Sequence, residues 1–161
     1  MFGKRQYKLS LNIKVRLFVT TVESVLLYGS ETWTLTKVLT KEIDGCYTRM
    51  LRMAKNVSWR EHKTNEELYQ YLPKASTKSR QRRMRLSGHC ARHKEEIASK
   101  LVMWEPTEGK RSRGRRRITY IDNLLEDAGV NNTAELQTLM EEREDWWQHV
   151  HNAGRPGGRH R

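Results

Sequence analysis

Few side chains in this chain have the type and spacing for bond-making chemistry. His89, Cys90 and His93 are clustered, and Cys46 or His62 could join them. On a helix His89 and His93 share a face at i,i+4. A structural zinc site takes four ligands, usually as two spaced pairs. Only one pair is present, so the cluster reads as packing or phosphate contact, and neither a metal nor a cofactor is expected. Glu126-Asp127 and Glu144-Asp145 are sequence neighbours, which do not face one another on a helix. They read as solvated charges, not as carboxylates converging on two ions. The sequence has neither a glycine-rich P-loop nor a Gly-x-Ser-x-Gly elbow. No catalytic residue is assigned.

Charge is the stronger signal. Lys74 to Lys94 holds eight Lys or Arg and no acid, and 110–117 holds six and none. Residues 118–153 reverse the balance, with one base against eight acids, within a net charge of +12. Such blocks favour a nucleic-acid partner over mere solubility. Guanidinium forks bind phosphate oxygens, and interleaved Trp, Tyr and Met can meet exposed bases. The candidate binding residues are Lys78, Arg82, Arg83, Arg85, His89 and Arg92 in one segment. Lys110, Arg111, Arg113, Arg115, Arg116 and Arg117 form the other. Phosphate contacts position a protein without reading bases, so no sequence preference follows.

These residues need a scaffold, and the scaffold reads as all-α. Apolar residues make up 36% of the chain, enough for a core but not a generous one. Leu11, Val15, Phe18, Val22, Val25 and Leu26 form a helical stripe after Ser10, and Gly29 closes it. Tyr28 to Trp33 reads as an aromatic corner packed under the core. A second helix, capped by Thr40 and stopped by Asn56, carries Ile43, Tyr47, Met50, Leu51 and Ala54. Arg49, Arg52 and Lys55 line one side of it and could touch phosphate. Thr64 to Glu67 has the capping-box form, and Pro73 ends that short helix.

Ser76 or Thr77 opens the basic helix, with Met84, Cys90 and Ile97 as its intermittent apolar side. Gly88 in its middle marks a helix end or a close backbone approach. Ile118, Ile121, Leu125 and Ala128 stripe a helix closed by Gly129. Asn132 or Thr133 starts a last helix that buries Leu136, Leu139, Met140, Trp147 and Val150 and shows an acidic outer face. The expected organisation is a helical bundle over 1–73, a basic helical segment over 74–103 and a basic linker over 104–117. A helical pair over 118–151 and a disordered tail over 152–161 complete it.

The order of motifs resembles a known family. The motifs are Leu26-Leu27-Tyr28-Gly29-Ser30-Glu31-Thr32-Trp33, Met50-Leu51-Arg52, Val57-Ser58-Trp59, Arg82 to His89 with Arg92, Gly114-Arg115-Arg116, and Arg143 followed by Trp146. The chain from about residue 8 to 150 resembles the C-terminal part of reverse transcriptases of non-LTR (LINE-type) retrotransposons, near the RTE group. That family implies an endonuclease domain, fingers, palm, and then a helical thumb with a region beyond it. The palm's Phe/Tyr-Ala-Asp-Asp motif has no counterpart, since no Asp-Asp pair occurs in the sequence. The resemblance therefore implies a thumb-like remnant that grips template and primer without polymerising. It places Arg82, Arg83, Arg85, His89 and Arg92 toward duplex or RNA.

The expected partner is RNA, DNA or an RNA–DNA hybrid, with self-association possible and no membrane. Two cysteines, no long apolar run and a start without an apolar signal core point to an intracellular site, in nucleus or cytoplasm. The competing expectations are a helical protein-interaction module and a decayed retroelement copy without selected function.

Overall fold

Ala75–Arg92, labelled α5 below, enters both hydrophobic cores of the structure. The computed structural model describes residues 9–104, 114 and 118–153. Among them all regular structure is helical, so the fold class is all-α. The expected linker and tail lie outside the described residues apart from Trp104, Gly114, Asn152 and Ala153, and Lys110, Arg111, Arg113, Arg115, Arg116 and Arg117 lie outside altogether.

The chain begins with α1 (Leu11–Leu17), a π-helical stretch Phe18–Glu23 and α2 (Ser24–Leu26), which run on without a break. The π stretch corrects the expected stripe. Its wider turn shifts the register, so Glu23 is buried while Val22 and Val25 stay exposed. Thr20, Thr21 and Ser24 donate their hydroxyls back to carbonyls three or four residues earlier, a habit that bends helices. Gly29 closes the run in the left-handed region at φ 66°.

α3 (Lys37–Lys55) is capped by Thr36, not Thr40: the Thr36 hydroxyl accepts from Leu39 N. Asn56 ends it with φ 56°, as Asn tolerates. α4 (Asn65–Tyr69) has the expected capping box, with Thr64 Oγ1 accepting from Glu67 N and Glu67 accepting from Thr64 N. It ends before Pro73, at Gln70 with φ 51°. The first core joins Phe18, Leu27, Tyr47, Leu51, Leu68, Tyr69 and Ala75. Phe18 meets Tyr47 edge-on, and Tyr69 stacks on Tyr47 at 5.9 Å.

α5 starts one residue before the expected Ser76, after Lys74, which gives no side-chain cap. Asp44 of α3 supplies the cap instead, accepting from Ser76 N at 2.9 Å and Ser76 Oγ at 2.7 Å. α5 ends at Arg92, so α6 (Ile97–Val102) is a separate short helix and Ile97 is exposed, not on the apolar side of α5.

α7 (Tyr120–Ala128) has a capping box at Thr119 and Asp122, and buries Ile121, Leu124 and Ala128. The expected last helix is two: α8 (Thr133–Glu141), capped by Asn132, and α9 (Arg143–Asn152). Glu142 breaks them apart with ψ 102°. The break resets the helical phase, so Trp146 is 2% exposed and Trp147 is 48% exposed, the reverse of the expected burial. The second core joins Met84 and Ala91 of α5 to Leu124, Ala128, Leu136, Met140, Trp146 and Val150.

Candidate nucleic-acid interface

α5 uses most of its cations on the protein itself. Lys78 Nζ pairs with buried Glu23, reaches Tyr47 Oη at 3.2 Å and lies over the Tyr47 ring. Burial and the bond it donates to Glu23 both push the Tyr47 phenol far above its ordinary range. Arg82 Nη1 donates to the Leu27 carbonyl at 2.6 Å. Arg83 is 4% exposed. Its Nε and Nη2 donate to Asp127 Oδ2 at 2.8 and 2.6 Å, and its Nη1 donates to the Trp33 carbonyl at 2.9 Å. Arg80 holds Asp127 Oδ1 at 2.9 Å. Burial raises the Asp127 carboxyl above the usual range, and Arg83 and Arg80 pull against that rise. Arg92 Nη1 donates to the Met140 carbonyl at 2.9 Å.

The turn after α2 is the receiving surface for these donors. The carbonyls of Leu27, Ser30, Glu31 and Trp33 accept from Arg82, Ser79, Tyr120 and Arg83. Asn123 Oδ1 accepts from Leu35 N at 2.8 Å. The stretch makes a single 3-10 turn, Ser30–Thr32, whose local backbone bonds leave acceptor capacity on these carbonyls, and buried carbonyls need donors. The Leu-Tyr-Gly-Ser-Glu-Thr-Trp stretch and the Arg-rich stretch, two separate motifs in the sequence, are thus partners in space. Within the stretch Leu27 and Ser30 are buried, whereas Tyr28 projects into solvent.

Arg85 and His89 point outward. Arg85 is exposed and lies over the Trp147 ring, its Cζ 5.4 Å from the centroid. His89 packs at a tilt against His93, ring centroids 4.2 Å apart, and its Nε2 is 3.8 Å from Glu96. Among the described residues no group of three or more His, Cys, Asp or Glu is placed to hold a metal ion. On α3, Lys55 is turned inward to the Leu68 carbonyl, and burial lowers its pKa. Arg52 holds Lys63 O and Asn65 Oδ1, while Arg49 remains exposed.

The outward surface of α5 meets α9 in a groove of about 500 Å³ lined by Arg85, Arg92, Arg143, Glu144, Trp146 and Trp147. Three guanidinium groups face one carboxylate there. Arg85 and Arg143 make no ion pair among the described residues. Trp146 forms the floor: its Nε1 donates to the Met84 carbonyl at 2.7 Å. The indole reaches that carbonyl across Gly88, where an added Cβ would lie 2.3 Å from Nε1. The close approach expected at Gly88 is thus present. Arg143 and Trp147 were not among the expected binding residues. Arg143 stands alone in an acidic stretch, and the break at Glu142 that exposes Trp147 leaves no periodic signal.

No family model matches the chain. It is similar to an uncharacterized transposon-derived protein of Caenorhabditis elegans, 25% identical over 146 residues, covering 83% of this chain and 52% of the worm protein. The chain spans about half the length of the curated relative it matches. No solved structure matches. The relationship is to a transposon-derived sequence.

Among the described residues no helix is long and apolar enough to cross a membrane.

Proposed function

We propose that this chain is a nucleic-acid-binding C-terminal portion of a retrotransposon reverse transcriptase, contributing grip and no polymerising chemistry of its own. The observation that carries the reading is the α5–α9 groove, where Arg85, Arg92 and Arg143 converge beside exposed Trp147. A concave basic surface with an aromatic wall suits a phosphodiester backbone with a base beside it. The resemblance of the motif order and the transposon-derived relative support the retroelement origin. Because Lys78, Arg82 and Arg83 are held by internal partners, the mobile grip on α5 is assigned to Arg85, with Arg92, tied to the Met140 carbonyl, as a fixed charge in the groove wall. His89, exposed on the same helix, adds to it, and the sequence supplies six more cations at 110–117.

The test is affinity for a labelled nucleic acid as a function of salt. Each phosphate contact adds about −0.9 to the log–log slope on duplex DNA and about −0.7 on single strands. The Arg85→Ala, Arg143→Ala double variant should flatten the slope by one to two contacts. An unchanged slope would remove the groove from the interface.

A second reading, a protein-interaction module, is favoured by one observation. Leu11, Ile13 and Leu17 on α1 are all close to half exposed, and α1 buries no residue. A mass that grows with concentration in light scattering, insensitive to added nucleic acid, would support it.

A further inference from the structure

We infer that the α5–α9 groove takes an unpaired nucleotide of a single strand, its base stacked on Trp147 and its flanking phosphates held by Arg85 and Arg143. This rests on the nucleic-acid reading of the groove. Two observations favour a single strand over a duplex, the size of the groove and its exposed aromatic wall.

The groove, about 500 Å³ in volume, is of small-ligand scale. It has room for one nucleotide, whereas a double helix could only lie across its mouth. Trp147 is 48% exposed, although its neighbour Trp146 is buried in the second core. An aromatic face of this kind is sequence-tolerant, because every base has a π-face, and it is useful only where bases are unstacked. The ring is held but not shut in. His151 meets it edge-on with centroids 5.0 Å apart, and Arg85 covers it at 5.4 Å. Arg85 is a long side chain with no carboxylate partner among the described residues, so it can swing from the ring to a phosphate. Arg143, exposed at the start of α9, lines the same groove and likewise has no carboxylate partner among the described residues. Arg92, by contrast, is tied to the Met140 carbonyl and serves as a fixed positive wall. Glu144 is the one acid in the groove, and it disfavours crowding phosphates onto that side.

The experiment compares a labelled pyrimidine single strand with a blunt hairpin duplex carrying the same number of phosphates. Each is made as RNA and as DNA, and fluorescence anisotropy is read at low salt. Wild type is measured beside Trp147→Ala, Trp147→Phe and the Arg85→Ala, Arg143→Ala double variant, with helicity checked by circular dichroism. The expected result is tighter binding of the single strand, a loss of about tenfold or more on Trp147→Ala, and recovery of most of it in Trp147→Phe. The blunt duplex should be insensitive to Trp147. The RNA and DNA arms identify which sugar the strand carries.

Single-strand affinity unchanged by Trp147→Ala, with the arginine variant weakened on both ligands, would overturn the stacking inference and leave the nucleic-acid reading in place. An equal loss on the blunt duplex would also overturn it, pointing to stacking on a terminal base pair. Binding of neither ligand by wild type would overturn both.

Discussion

Arg83 and Asp127 form a buried ion pair between α5 and α7, with two guanidinium N–H groups on one carboxylate oxygen. The third donor of Arg83 closes the Trp33 carbonyl, so one side chain fastens three parts of the chain. The desolvation of such a pair consumes much of its attraction, but removing one partner strands the other in low dielectric.

Arg83→Ala should therefore destabilise the fold by about 3 kcal/mol, read as a lower urea midpoint. The double variant Arg83→Met, Asp127→Leu should lose less than the single one. In the folded fraction the salt slope of nucleic-acid binding should match wild type, in contrast to the Arg85 and Arg143 variants.

Gly88→Ala should cost roughly 1–3 kcal/mol, despite alanine's better helix propensity. An added Cβ would fall 2.3 and 2.4 Å from Trp146 Nε1 and Cδ1. In a Trp146→Ala background the same substitution should turn neutral or stabilising by up to about 1 kcal/mol, since the remaining close neighbour, Arg92 Nη1 at 3.1 Å, is the end of a long side chain that can shift. A double-mutant cycle by thermal or urea unfolding reads this coupling. Equal costs in both backgrounds would rule out the contact.

Lys78→Met should leave Glu23 buried with only the Tyr47 hydroxyl as partner, and cost about 3–5 kcal/mol. Pairing it with Glu23→Gln should recover part of that loss. Chemical denaturation of the four proteins in the cycle is the check.

Much of the fold was legible because it follows local rules. The capping box at Thr64, the stop at Asn56 and the cap at Asn132 need only the neighbouring residues; of the stripe expected before Gly129, Ile121 and Ala128 are buried, whereas Ile118 precedes the helix and is exposed and Leu124 takes the place given to Leu125. The misses have long-range or non-periodic causes. The π turn at Phe18–Glu23 changes the repeat without any glycine or proline to mark it, and so Glu23 is buried where Val22 was expected. The break at Glu142 likewise has no punctuating residue. It turned Trp146 inward and Trp147 outward. Charge told correctly that α5 is basic, but charge does not say which way an arginine faces. Arg83 and Arg85 are two positions apart on one helix, and one serves the core while the other faces solvent.

Asp44→Ala should cost about 1 kcal/mol, the value of a helix cap. Asp44 belongs to α3, yet it supplies both hydrogen bonds at the start of α5. The loss should appear as faster amide exchange at Ser76 and Thr77, with the C-terminal end of α5 little changed.

α5 also has a mechanical consequence. Its 18 residues span about 27 Å, with Ala75 fixed in one core and Ala91 in the other. Held at both ends, it can neither slide along its axis nor tilt without disturbing both cores at once.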